Sequence, residues 1–203
     1  MALLTEKQKD ELKDRIRQIE TRTDAEIVMV LAKRSDNYGY APTLFAACTS
    51  MLIPLVSLYW PFWLSTSEVV SIQLIAFIVL TILFRIPNLL RLVVPRRTKY
   101  FRASNMAMRQ FLTQRVHTTQ DNLGCLIFVS ELERYIEIVS DHGLAEIDNA
   151  IWENAVTNAI PLLKQGEIES SFVNTIETVG SVLIEHFPAS KEKKGLPDHL
   201  IEV

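Results

Sequence analysis

The sequence predicts a small layered α/β domain interrupted by an inserted two-helix transmembrane hairpin, and three observations carry that prediction. An amphipathic helical pattern runs straight into a wholly apolar, β-branched stretch, Ile27-Val28-Met29-Val30-Leu31. Two long runs almost free of charge then fill residues 41–94. Beyond them the chain resumes with a helix, two short strands and two more helices. Residues 1–40 and 95–188 therefore read as two parts of one domain, 41–94 as the hairpin, and 189–203 as a flexible tail.

Each element has a local reason. Leu12, Ile16 and Ile19 share one face of a segment opened by Thr5 and Gln8 in capping-box spacing, which predicts a helix over 5–21. Ile27 to Leu31 is apolar at every position, as in a strand covered on both faces. After the hairpin, Met108, Phe111, Leu112 and Val116 sit near helical spacing in 100–116, and Asp121-Asn122-Leu123-Gly124 turns the chain. Cys125 to Val129 is a second solid apolar strand. Only Glu131-Leu132-Glu133 separates it from Arg134 to Val139, so those two strands should pair antiparallel. Helices follow over 147–164, with Trp152, Val156 and Ile160 on one face, and over 168–186, with Phe172, Ile176, Val179 and Leu183 on one face. Gly166 parts them and Pro188 closes the second.

The composition is that of a globular chain: 203 residues, 48% hydrophobic and 22% charged, with a net charge of −3. Disordered, collagen-like and disulfide-scaffold classes are excluded. Cys48 and Cys125 stand far apart without a C-x-x-C spacing, so neither a zinc site nor a disulfide framework is encoded, and buried, reduced thiols are expected. The charges are partitioned along the chain. They balance from Met1 to Tyr40, reduce to Glu68 alone from Ala41 to Phe84, are all positive from Arg85 to Gln120, and are mainly acidic from Asp121 onward.

That partition is what a membrane segment produces. Ala41 to Leu64 is an uncharged run, about 36 Å long as a helix, against a hydrocarbon core of about 30 Å. Val69 to Val94 is the second run, clean to Phe84 and then interrupted by Arg85 and Arg91, which can snorkel to the interface. Ser65 to Glu68 form the turn, beside Tyr59, Trp60 and Trp63 where an aromatic belt belongs. Lys33 and Arg34 precede the first run, and Arg85, Arg91, Arg96, Arg97, Lys99 and Arg102 lie at the end of the second or beyond it. Both termini are therefore expected in the cytoplasm. A cleaved signal peptide is not expected, because the chain begins with a charged helical stretch. Two rivals stand beside a spanning hairpin: buried core helices of a soluble protein, and a re-entrant hairpin broken at Pro54 and Pro61.

Motifs for nucleotide loops, nucleophile elbows and zinc proteases are absent. The chemistry-bearing residues left are Asp141 and His142 at the polar end of the third strand, followed by Glu146 and Asp148, and a second group of His117, Thr118, Thr119 and Asp121. Clustered carboxylates suit calcium or magnesium, which makes Asp141, Glu146 and Asp148 the candidate ligands. The plainer reading makes Asp148 a helix cap and Glu146 a solvated loop residue. His117 fits a helix C-terminus, where the dipole favours imidazolium. The basic stretch from Arg85 to Arg115 adjoins an apolar run and lacks a rhythm of aromatics, so lipid headgroups suit it and nucleic acid is not an expected partner.

Several stretches resemble the TPM domain family, in its bacterial membrane-anchored branch. They are Thr23-Asp24-Ala25-Glu26-Ile27-Val28, His117-Thr118-Thr119, Gly124 to Ser130, Glu133 to Gly143, Trp152, Gln165-Gly166, Ile176 to Gly180 and His186-Phe187-Pro188, with Arg134 to Gly143 the most specific. The resemblance implies a three-layer α/β/α domain around a small mixed sheet. It also implies weak acid phosphatase action, calcium binding, or service as an accessory subunit of a membrane complex. Asp141 matches the family's loop acid. The chain departs from longer secreted members at Met1-Ala2-Leu3-Leu4 and at Asp141-His142-Gly143-Leu144-Ala145, where two potential acidic ligands are missing.

Two functions are therefore expected to compete. One is an accessory or binding protein of the inner membrane whose acidic cytoplasmic domain meets a membrane-protein partner. The other is a divalent-metal phosphatase, for which Asp141 has only Arg134 as an expected nearby base. Phosphoryl chemistry needs cationic groups around the phosphate, so binding leads.

Overall fold

The structure is a computed structural model describing residues 4–59, 64–190 and 200–203. In chain order it comprises α1 (Glu6–Glu20), β1 (Glu26–Ala32), α2 (Tyr40–Ser50), α3 (Leu52–Ser57), α4 (Thr66–Leu83), α5 (Pro87–Val93), α6 (Arg96–Thr113), β2 (Gly124–Ser130), β3 (Tyr135–Ser140), α7 (Asn149–Gln165), α8 (Ile168–His186) and β4 (Leu200–Glu202). Contacts divide the chain into an α/β unit of residues 1–35 and 100–203 and a helical unit of residues 36–99.

The α/β unit is built on a mixed four-stranded sheet in the order β3-β2-β1-β4. β1 runs parallel to β2, with Ile27 opposite Cys125, and β2 runs antiparallel to β3, with Phe128 opposite Glu137. All seven residues of β1 and all seven of β2 are buried, as the apolar runs Ile27 to Ala32 and Cys125 to Val129 require, with Glu26 and Ser130 buried at the strand ends. Strand alternation sends them to two separate cores. Ile27, Met29, Leu31, Cys125, Ile127 and Val129 pack with Leu12 and Ile16 of α1, Trp152 of α7 and Phe172 and Ile176 of α8. Val28, Val30, Leu126 and Phe128 pack with Ala103, Ala107 and Phe111 of α6 on the opposite face.

The helix ends follow local chemistry. Thr5 caps α1 in the expected box, its backbone N–H donating to Gln8 Oε1 at 2.8 Å while Gln8 N–H donates to Thr5 Oγ1. Asp148 caps α7, accepting from the Ala150 N–H at 3.0 Å. Gly166, in the left-handed conformation, closes it. α6 begins before the expected Tyr100 and stops at Thr113, short of Val116. His117 accordingly lies on a separate 3-10 turn and not in the helix terminus, because Arg115 takes a positive φ of 55° and breaks the helical path.

The end of the chain is a correction to the expected tail. Leu200–Glu202 form a strand beside β1, with Met29 opposite Leu200, and Lys33 N–H and Val203 N–H donate to Val203 O and Leu31 O at 3.0 and 2.8 Å. β1 would otherwise be an edge with open backbone groups, and β4 covers its Met29 to Leu31 stretch. The stretch 191–199 of the expected tail lies outside the described residues.

In the helical unit, α2 and α3 make one 18-residue helical stretch, Tyr40–Ser57, interrupted at Met51. Pro54 has no N–H to offer the Ser50 carbonyl, which accounts for the interruption. α4 is the second long helix, and it begins before the expected Val69 because Ser65 caps it: Ser65 N–H donates to Glu68 Oε2 at 2.7 Å. Phe45 of α2 meets Phe84 edge to face, with ring centroids 6.4 Å apart. The expected second run to Val94 is not one helix. It stops at Leu83 and restarts at Pro87, since a residue preceding proline, here Ile86 with ψ 130°, is pushed out of the helical region. Trp60, Pro61 and Trp63, named for the belt and the break, lie outside the described residues.

Candidate functional site

The two polar groups expected to carry chemistry meet at one end of the sheet, where β2 starts and β3 finishes. Asp141 follows β3 directly, and its N–H donates to the Gly124 carbonyl at 2.9 Å. Its Oδ1 accepts from the His142 N–H at 2.7 Å and starts a 3-10 turn over His142–Leu144. Opposite it, Asp121 and Asn122 both adopt left-handed backbone, with φ of 59° and 57°. Their carbonyls close on Gly143 so tightly that a Cβ there would lie 2.4 Å from Asp121 O and 2.7 Å from Asn122 O. Gly124 is equally confined, its missing Cβ falling 2.2 Å from Val116 O and 3.1 Å from Thr119 Oγ1. Two side-chain oxygens next to Gly124, Asp141 Oδ2 and Thr119 Oγ1, are buried without a hydrogen-bond partner.

Among the described residues no three His, Cys, Asp or Glu side chains are grouped as a metal ion requires, Asp141, Glu146 and Asp148 included. Asp148 serves as the α7 cap, and Glu146 and His142 are exposed. His117 is exposed as well, its ring 6.2 Å from that of Phe111. Hard cations take six to eight oxygens for calcium and about six for magnesium. One spare carboxylate oxygen and a hydroxyl supply two side-chain oxygens of such a set.

Arg134 corrects the expected geometry. It stands in the β2–β3 turn with φ of 51°, whereas Asp141 follows the other end of β3. Six extended residues separate them, about 20 Å. A strand holds its two ends apart, so the one base expected near Asp141 is at the opposite end of the sheet.

At that opposite end lies a constellation that sequence reasoning missed. Glu133, Ser130 and Ser35 are buried together. The Ser35 N–H donates to Glu133 Oε1 at 3.0 Å, the Ser35 hydroxyl donates to Ser130 Oγ at 3.1 Å, and the Ser130 hydroxyl donates to Glu133 Oε2. Ser35 and Glu133 are far apart in sequence, and the only local signal was a serine closing an apolar strand three residues before an acid. The network ties the exit of β1 to the β2–β3 turn at the carboxyl ends of the parallel strands. Of the two thiols expected to be buried, Cys125 is, and burial pushes it up to about 12, which makes it inert as a nucleophile, whereas Cys48 is exposed on α2.

The architecture has been seen before. The NMR structure of the BA42 protein from the psychrophilic bacterium Bizionia argentinensis superposes with a TM-score of 0.60, over 100% of this chain and 97% of that one, at 18% identity. At that identity the likeness is one of fold. No family model matches the chain, and no curated protein does.

Proposed function

We propose that this chain is a membrane-anchored protein of the TPM kind, held in a bacterial inner membrane by two spans, with the α/β domain and both termini in the cytoplasm. The domain serves as an accessory or binding module for a membrane-protein partner. One observation carries the anchor: none of the 18 residues of α4 is buried, although the helix is apolar from Val69 to Leu83 except for Ser71, Gln73 and Thr81. A core helix of a soluble protein hides its apolar side chains against its own fold. Here Leu74, Ile75, Ile78 and Ile82 all face outward. α4 is about 27 Å long, close to a hydrocarbon core, and the positive residues flank the two helices while the Ser65–Glu68 turn has none.

The binding role follows from what the polar edge offers. Among the described residues no three His, Cys, Asp or Glu side chains are grouped at Asp141 to hold the metal ion that a divalent-metal phosphatase would use. The divalent-metal phosphatase remains the second reading, favoured by the unpartnered Asp141 Oδ2 and Thr119 Oγ1.

Cys48 tests the anchor, because it is exposed on α2 and has the Asp36–Lys99 unit as its setting. In inside-out membrane vesicles, whose cytoplasmic face is outward, a membrane-impermeant maleimide should leave Cys48 unmodified and should modify it after detergent solubilisation. In a Cys48→Ser background, Ser67→Cys should react from the outer side. Immediate reaction of Cys48 in intact membranes would remove the anchor, and a shielded Ser67→Cys would convert the span into a re-entrant hairpin. Asp141→Asn separates the two roles: a partner adduct formed by a photo-crosslinker at Glu153 should persist, whereas calcium- or magnesium-dependent phosphate-ester turnover lost in that variant would install the phosphatase instead.

A further inference from the structure

We propose that α6 is an interfacial helix, and that its outward face seats the α/β domain on the anionic cytoplasmic leaflet. The proposal rests on the membrane-anchored reading above and deepens it by assigning the lipid-facing surface. α6 covers its face of the sheet with Ala103, Ala107 and Phe111, all buried. The other side of the same helix carries Phe101, Met108 and Leu112, which are 63%, 50% and 53% exposed. Their spacing of i, i+7 and i+11 lines them up in one stripe on a helix. Arg102 and Arg109, also spaced by seven, run alongside it and are exposed.

An apolar stripe of that width on a soluble domain calls for a partner. Three properties select a bilayer surface over another protein. The flanking charges are of one sign, and no acid occurs anywhere from Arg85 to Gln120. Arginines beside an apolar stripe with an aromatic are the composition of helices that lie in the headgroup region, where each basic residue adds attraction to an anionic surface. The chain also enters α6 directly from the segment that follows the apolar helices, so α6 is the long helix next to the anchor along the sequence.

Full-length protein in lipid nanodiscs provides the test. In a Cys48→Ser background, an environment-sensitive fluorophore is placed at Met108→Cys on α6, at Glu153→Cys on α7 as the aqueous control, and at Ile75→Cys on α4 as the reporter of the anchor. Discs of phosphatidylcholine alone are compared with discs containing phosphatidylglycerol, each with shallow or deep nitroxide lipids. The expected result is several-fold stronger quenching at Met108→Cys by shallow nitroxides in anionic discs, none at Glu153→Cys, and reversal by high salt or by Arg102→Gln with Arg109→Gln. Deep quenching at Ile75→Cys with an aqueous signal at Met108→Cys in anionic discs would overturn the interfacial helix and leave the anchor standing. Shallow quenching at Met108→Cys without quenching at Ile75→Cys would retire the anchor and keep the lipid-facing helix. A signal at Met108→Cys that follows protein density and ignores lipid charge would overturn the proposal in favour of a second copy of the chain on α6.

Discussion

Gly143 lies against the backbone carbonyl of Asp121, so closely that a methyl group at Gly143 would sit 2.4 Å from that oxygen. This contact joins the two polar turns, because Asp121 and Asn122 hold left-handed backbone and Gly143 occupies the hollow between their carbonyls. Both obstructing atoms are backbone and cannot rotate aside. Gly143→Ala should therefore cost about 1–3 kcal/mol of stability, as overpacking does. Gly39→Ala, which meets nothing within 4 Å, should fall within about 0.5 kcal/mol of the parent. Urea unfolding of the detergent-solubilised protein, followed by circular dichroism, reads both.

The buried network at the other end of the sheet makes a second prediction. Glu133→Ala leaves the Ser35 N–H and the Ser130 hydroxyl without their acceptor in a buried place, at about 1–3 kcal/mol. Glu133→Gln keeps one oxygen and should lose less. Equal losses in the two variants would show that shape and not hydrogen bonding holds the turn.

Alkaline pH should loosen the α/β domain in a defined window. Burial pushes the Cys125 thiol up to about 12 from 9.0, and burial together with the neighbouring Glu137 carboxylate pushes the Tyr135 phenol up to about 12 from 10.0. Both groups bind their protons more tightly in the folded state. Their contribution is complete below pH 9 and declines as pH rises toward about 12. Thermal melts from pH 8 upward should show that decline, and Cys125→Val should shift its onset toward the tyrosine range. In a Cys48→Ser background the Cys125 thiol should also resist iodoacetamide at pH 8.5, and rapid alkylation there would contradict its burial.

The terminal strand depends on one ion pair and a short backbone ladder. Lys9 Nζ lies 2.7 Å from the Glu202 carboxylate and 2.9 Å from that of Glu6, and the hydrogen bond to Glu202 leads in raising the lysine to about 12. Deleting residues 200–203 should speed amide hydrogen exchange at Lys33, whose N–H donates to the Val203 carbonyl, and along the paired edge of β1 from Met29 to Leu31. Glu202→Gln should produce a smaller change of the same pattern. Unchanged exchange after the deletion would mean that β4 leaves the edge of β1 open in solution.

The sequence by itself determined what depends on neighbours along the chain. The Thr5–Gln8 box, the solid strands Ile27 to Leu31 and Cys125 to Val129, the tight antiparallel link through Glu131 to Glu133, and the Gly166 break were all legible, because capping and periodicity act within a few residues. The charge-poor runs were legible for the same reason. The tertiary structure alone decided the rest. It brought Asp121 to Gly143, carried Arg134 to the far end of β3 from Asp141, buried Glu133 with Ser35, and turned part of an apparent tail into β4. Each of these depends on register across the sheet, where hydrogen bonds join residues distant in sequence, and such pairing leaves almost no trace in local composition.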